Sequence, residues 1–304
     1  MDRRTVLGLA AAAGTGLVIG TQGAAAQPAR AWRRPSEHVE AADGARLFVR
    51  DWGSGAPVLF LAGWTLASDF WGYQMAALQA QGLRCIAFDR RGHGRSSDPG
   101  GGYDFETLAG DLAAVIEGLG LTGVSLVGHS MASGEIVRYV ARHGTGRLAR
   151  IALVGPTTPF LMRTADNPSG LPREAMASAR TALARDLPGL IGANIAPFFT
   201  ADTSPDMVAW VKAMMLGTSM QAVLDCLRAL QETDFRPDLP RIGVPTLIVH
   251  GDADRSAPLA LTGGPTAALV PGARLSVYEG APHGLPLTHV DRLNAELLAF
   301  ARGS

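Results

Sequence analysis

Ser130 stands in the run Val124-Ser125-Leu126-Val127-Gly128-His129-Ser130-Met131-Ala132-Ser133-Gly134, where its hydroxyl could act as a nucleophile. An apolar, β-branched stretch ends at a small residue, one serine is presented, and a helical pattern follows at 133–142. A serine hydroxyl attacks a carbonyl only when a base takes its proton and the chain presents it on a sharp turn. A strand–tight turn–helix does this if the positions two before and two after the serine are small, as Gly128 and Ala132 are. The helix also aims backbone N–H groups at the place where an oxyanion would form.

Two partners for such a serine come later in the chain. Val244-Pro245-Thr246-Leu247-Ile248-Val249-His250-Gly251-Asp252-Ala253-Asp254 reads as a buried strand that breaks at Gly251, and either Asp252 or Asp254 could orient a histidine. Asp254 is favoured, because the loop needs a few residues to turn from the strand end. The loop Ala281-Pro282-His283-Gly284 follows another strand and offers His283 as general base. Of the seven histidines, His129 would point away from its neighbour across the turn and His250 sits at a strand end. His289 begins the last helix, His93 lies in a glycine-rich loop, and His38 and His143 lie in ordinary polar surroundings. Only His283 completes an ordered Ser, acid, His series.

These groups need a frame to bring them together. Strands read at Arg46–Trp52, 58–61, 85–88, 125–127, 151–154, 246–249 and 275–278, with helical patterns at 70–80, 105–119, 133–142 and 290–301. Strands apolar on both faces, alternating with helices, indicate a mostly parallel, doubly wound α/β sheet covered on each side. Ligands bind such sheets beyond the carboxyl ends of the strands. Trp64, Ser130, Asp254 and His283 all follow strands at that end.

The alternation stops at 157–236, which reads as a helical lid inserted after the sixth strand between core segments 37–156 and 237–304. Its helices are expected at Arg173–Arg185, 187–198, Pro205–Leu216 and 220–233, with start signals at Ser204-Pro205 and Ser219. Phe160, Phe198 and Met214 are apolar residues from this segment expected, with Trp64, to line an acyl or aryl pocket. Methionine-rich walls can repack, which favours breadth.

Four segments resemble the α/β-hydrolase group that contains cofactor-free (non-haem) chloroperoxidases and bacterial aryl esterases. They are Leu59-Phe60-Leu61-Ala62-Gly63-Trp64 with Trp71-Gly72-Tyr73-Gln74-Met75; Phe88-Asp89-Arg90-Arg91-Gly92-His93-Gly94-Arg95-Ser96; the stretch from Gly128 to Ala132 with Tyr139; and the stretch from His250 to Asp254 with Ala281-Pro282-His283-Gly284. The resemblance implies Ser130 as nucleophile, Asp254 as acid, His283 as base, and the backbone N–H groups of Trp64 and Met131 as oxyanion donors. It implies hydrolysis of small esters or lactones with no cofactor. Perhydrolysis to a peracid, or amide, lactam or carbon–carbon cleavage by the same triad, are the enzymic alternatives; a ligand-binding protein on a silent hydrolase fold is the non-enzymic one. Two positions depart from the pattern: Ala62 stands where a histidine commonly precedes the glycine, and Thr65 where peracid-forming members often carry proline. Proline there restricts φ and removes a donor, so Thr65→Pro is expected to shift activity towards peracid.

The chain of 304 residues, 47% of them hydrophobic, is long enough for one large α/β core with a lid. Basic and acidic residues balance at 27 each, which provides no field for nucleic acid. No metal-ligand spacing or phosphate loop occurs. The glycines of Asp89-Arg90-Arg91-Gly92-His93-Gly94 suit tight turns, with the arginines available to pair with Asp89 and nearby carbonyls. Cys85, on a core strand, and Cys226, on a lid helix, are expected as two separately buried thiols. Residues 1–26 read as a twin-arginine export signal with no lasting membrane anchor: Arg3-Arg4, an apolar stretch shorter than the roughly 20 residues of a span, then Ala24-Ala25-Ala26. The protein is therefore expected in the periplasm or outside the cell. Replacing both Arg3 and Arg4 by lysine should hold precursor in the cytoplasm, and sequencing the mature N-terminus should find it near Gln27. Exported protein that keeps Met1 would overturn this expectation.

Overall fold

The computed structural model describes residues 37–303; the expected export segment lies outside them. Eight strands form one sheet: β1 (His38–Glu40), β2 (Arg46–Trp52), β3 (Pro57–Leu61), β4 (Arg84–Phe88), β5 (Val124–His129), β6 (Leu148–Val154), β7 (Thr246–Gly251) and β8 (Arg274–Tyr278). Their order is β1-β2-β4-β3-β5-β6-β7-β8. β1 with β2 and β2 with β4 pair antiparallel; all other pairs are parallel. Every residue of β5 and β7 is buried, as befits central strands covered on both faces. Alternation sorts their side chains. In β6, Ile151 and Leu153 join one apolar cluster while Ala152 and Val154 join the other.

Helices α2 (Phe105–Gly118) and α3 (Ala132–His143) pack in the first cluster, and α1 (Gly72–Ala80) and α10 (Val290–Arg302) in the second. Asp104 starts α2 by accepting the Thr107 backbone N–H, and Gly303, left-handed at φ 89°, ends α10. Strand β3 has β4 on one side and β5 on the other, so the order reverses between β3 and β5. The crevice beyond their carboxyl ends is where such a sheet takes a ligand. It lies between Gly63 and Ser130.

Four helices follow β6: α4 (Arg173–Arg185), α5 (Leu187–Asn194), α6 (Pro205–Leu216) and α7 (Met220–Glu232). The helix expected over 187–198 stops at Asn194 and resumes as a short 3-10 turn, Ala196–Phe198. Pro197 explains the break, since it has no N–H to donate and its ring crowds the carbonyl four residues back. Ser204 caps α6 by accepting the Met207 N–H, whereas the Ser219 side chain caps nothing and its backbone N–H reaches Gly92 O at 2.9 Å. β1 escaped the sequence reading because three residues are too few to show an alternation. So did α8 (Gly263–Leu269), whose Gly263-Gly264-Pro265 start reads as a loop, and the single turn α9 (Leu285–Thr288). Counting β1, β6 is the sixth strand, and the helical insertion follows it.

The arginine loop meets only part of the expectation: Arg90 takes the nearby Ala62 and Gly63 carbonyls, but Asp89 is not an arginine partner. Asp89 accepts the backbone N–H groups of Ser68 and Arg95 at 2.6 and 2.8 Å, closing its own turn, and takes no arginine side chain. Arg91 instead bridges Asp111 and Asp43, and Arg90 reaches Glu135. Cys85 on β4 and Cys226 on α7 are free and buried, and burial pushes both thiols up to about 12. Neither should react with Ellman's reagent at pH 8 until the protein unfolds, when two thiols per chain should titrate without reductant. Rapid reaction in the native state, or no free thiol after unfolding, would contradict this arrangement.

Candidate active site

Ser130 sits between the end of β5 and the start of α3 with φ at 55°, a left-handed backbone that a Cβ resists by roughly 1–2 kcal/mol. Its surroundings hold it there. Its N–H donates to Val154 O at 2.9 Å, extending the β5–β6 pairing, and its carbonyl accepts from Ser133 Oγ at 2.7 Å. A Cβ on Gly128 would lie 2.6 Å from Ile136 Cδ1 and 3.3 Å from Ala132 Cβ, which is the crowding the small-residue spacing implied. The strain therefore persists because the fold over-determines it, and it turns the side chain towards the crevice.

There Ser130 Oγ lies 2.8 Å from His283 Nε2, and His283 Nδ1 lies 2.6 Å from Asp254 Oδ2. The carboxylate fixes the tautomer: Nδ1–H donates to Asp254, which leaves Nε2 with a lone pair facing the serine hydroxyl. Asp254 cannot swing, since Oδ1 accepts the Ser256 and Ala257 N–H groups at 2.9 and 2.8 Å. His250 adds a contact to Oδ2 at 3.3 Å while donating from the same Nε2 to Ala257 O at 2.7 Å. Burial pushes the Asp254 pKa up, but the positive field of His283 and these hydrogen bonds outweigh it and hold the carboxyl well below its ordinary range. Asp252 takes no part: its Oδ1 accepts the exposed Gly280 N–H at 2.6 Å and braces the loop.

Trp64 and Thr65 arrive from the end of β3. A Cβ on Gly63 would stand 2.8 Å from His129 Nδ1 and 3.1 Å from Ser130 Cβ, so only glycine lets this loop lie against the serine. The Trp64 backbone N–H takes no acceptor among the described residues, and Met131 caps α3 at the end where helical N–H groups lack intrahelical partners. Thr65 is the second strained residue, a β-branched side chain at φ 62°. Its hydroxyl donates to Trp64 O at 2.6 Å, and Thr218 Oγ1 donates to its carbonyl at 3.1 Å. Proline, fixed near φ −65°, has no access to this conformation. Thr65→Pro is thus a rebuilding of the turn, not the local shift that the sequence suggested.

A cavity of about 250 Å³ opens over Ser130 and His283. Trp64 and Phe198 line it; Phe160 and Met214 do not. Phe160 lies under the Arg236 guanidinium, 5.0 Å from its ring centre. On α6 the buried residues are Val211 and Met215, four apart on one face, so Met215 faces the cavity and Met214 is turned about 100° away. That helical spacing was the signal available in the sequence. Ile191, Ile195, Leu227 and Leu230 add to the apolar roof, Thr157, Asn194 and Ser256 supply neutral polar groups, and among the described residues no carboxylate, arginine or lysine lines the space.

A family model described as alpha/beta hydrolase fold matches residues 56–290. The chain is similar to a non-heme haloperoxidase of Rhodococcus erythropolis, with 44% identity over 86% of this chain and 98% of that protein. It is similar to a bifunctional esterase/perhydrolase of Acinetobacter calcoaceticus at 37% identity, covering 87% and 99% of the two chains. Among solved structures, an esterase from Exiguobacterium antarcticum superposes with a TM-score of 0.85 at 30% identity, over 88% of this chain and 99% of that one.

Two other histidines support the site from below. His129 packs against the rings of Phe70, Trp71 and Phe198 and also borders the cavity, and its Nε2 reaches His283 O at 3.0 Å. Burial and the neighbouring His283 lower its pKa to about 3; burial and Arg90 lower that of His93 to about 3 as well. In the unfolded chain both return to about 6.5. Between those values the unfolded state binds protons that the folded state refuses, so stability falls as pH falls, at about 1.4 kcal/mol per pH unit for each histidine. Urea unfolding from pH 7 to 4.5 should show this decline, and His129→Gln should make it shallower. An identical slope in the two proteins would refute the assignment.

Proposed function

The chain belongs to the α/β-hydrolase fold family, and from that premise we propose that it hydrolyses carboxylic esters or lactones through an acyl-enzyme on Ser130. The observation that carries the reading is the unbroken chain Ser130 Oγ–His283 Nε2, His283 Nδ1–Asp254 Oδ2 beneath a cavity lined by Ser130 and His283.

As Ser130 Oγ bonds to the substrate carbonyl carbon, its proton passes to His283 Nε2. Asp254, already ionised and hydrogen-bonded to Nδ1–H, stabilises the imidazolium that forms. The carbonyl oxygen becomes an oxyanion, which the N–H groups of Trp64 and Met131 hold. Collapse expels the alcohol, which takes the Nε2 proton; water then repeats the steps on the acyl-enzyme and releases the acid. A small, uncharged, mainly apolar cavity suits a neutral, compact acyl or aryl group. The esterase and esterase/perhydrolase relatives support this reading. The haloperoxidase relative favours a second one, in which hydrogen peroxide replaces water at the acyl carbon and leaves as a peracid that oxidises halide. On the export signal of residues 1–26, we place the enzyme outside the cytoplasm.

Ser130→Ala and His283→Ala should each lower p-nitrophenyl acetate turnover by more than about 10⁴-fold, and Asp254→Asn by about 10⁴-fold. Asp252→Asn should change it less than threefold. A fluorophosphonate should label the wild type and not Ser130→Ala. An active Ser130→Ala protein would sink the acyl-enzyme, and bromination in acetate and peroxide that rivals hydrolysis would promote the second reading.

A further inference from the structure

Arg90 is fully enclosed beneath the site, and each of its five N–H donors has an acceptor. Nε donates to Glu135 Oε1 at 2.8 Å, and Nη2 donates to the same carboxylate and to Ala62 O, the latter at 2.7 Å. Nη1 reaches Gly63 O at 3.2 Å and His93 Nε2 at 3.4 Å. His93 Nδ1 is 2.9 Å from Arg91 O and so carries the ring proton, which leaves Nε2 as an acceptor. The side chains of Arg90 and Glu135 are 4% and 1% exposed.

The partners lie on the two halves of one apparatus. Ala62 and Gly63 precede Trp64 in the loop that brings in one oxyanion donor. Glu135 stands in the first turn of α3, whose N-cap Met131 brings in the other. A loop with a glycine facing the serine and a left-handed threonine beyond it has little rigidity of its own, and at 62 the chain carries only alanine. Arg90 clamps both carbonyls of that loop to α3 through a planar, preorganised fork, which a lysine could not reproduce.

We propose that Arg90 and Glu135 are positioning residues that set the separation of the Trp64 and Met131 oxyanion donors. This rests on the reading of Ser130 as the acylated nucleophile. Neither residue touches substrate; the pair acts through the backbone of Ala62 and Gly63. A neighbour supplies the control. Arg91 is equally enclosed and bridges Asp111, but reaches Asp43 and not the loop.

The test compares Arg90→Met, Arg90→Lys, Arg91→Met and the double variant Arg90→Met with Glu135→Leu. It measures kcat and KM on p-nitrophenyl acetate, Tm, and inhibition by phenylboronic acid, whose tetrahedral adduct on Ser130 places an anionic oxygen in the oxyanion position. Arg90→Met and Arg90→Lys should lose about 10²-fold in kcat, the lower end of what removing one donor costs. KM should stay within about twofold, and boronate affinity should fall by a similar factor to kcat. Arg91→Met should lower Tm with kcat within about threefold. The double variant removes both buried charges and should recover Tm without recovering kcat. Folded Arg90→Lys and double variants with wild-type kcat and boronate affinity would overturn the proposal, as would an equal kcat loss in Arg91→Met. If Ser130→Ala proves active, the acyl-enzyme reading fails first; if only the Arg90 variants behave as wild type, this inference alone falls.

Discussion

A serine held at φ 55° is the constraint on which the site depends. Left to itself, residue 130 would relax to ordinary backbone and its hydroxyl would leave the line between His283 and the oxyanion loop. The fold prevents this from three sides: β6 takes the N–H, the first turn of α3 takes the carbonyl, and the space that a larger side chain at 128 would claim is filled by Ile136 and Ala132. None of these contacts is chemistry. Each is ordinary packing or pairing, placed so that relaxing the turn costs more than keeping it.

Around that fixed point the charges are arranged economically. Asp254 is the buried anion of the triad, and all its lone-pair directions meet donors, so its ionisation survives burial. The neighbouring His129 stays neutral because burial first, and the His283 ring 4.7 Å away second, lower its pKa to about 3. On the proposed mechanism, one histidine is left to carry the proton, and the carboxylate beside it stabilises that cation. The separation of roles follows from burial and partners, since the residue types are the same.

Most of the triad's arrangement could be read from the chain, because each member follows an apolar strand and a parallel sheet gathers all its strand ends on one side. Choosing Asp254 over Asp252 needed only loop length, and the structure gives the physical difference: one carboxylate turns inward under Ala257, the other outward to Gly280. What the sequence hid depends on contacts distant in the chain or on helix phase. Arg90 meets Ala62 and Glu135, 28 and 45 residues away, and no local pattern records that. Met215 replaces Met214 because a helical face is set by which neighbours are buried. A three-residue edge strand such as β1 carries too little alternation to announce itself.

The roof is fastened to the same parts it covers. Trp64 Nε1 donates to Val223 O on α7 at 2.9 Å, Thr218 holds the carbonyl of Thr65, and Gly284 N–H, one residue past the base, donates to Phe198 O at 2.9 Å. Helices α5 to α7 are therefore a keystone for the oxyanion loop on one side and for the histidine loop on the other. Two of these acceptors are backbone carbonyls, so it is the placement of the segment, more than its side chains, that the site depends on. In engineering terms, the segment is not an interchangeable cassette: grafting a roof from a relative to change substrate preference would carry away the supports of Trp64 and His283 with it. Specificity in this scaffold is better altered one inward-facing side chain at a time.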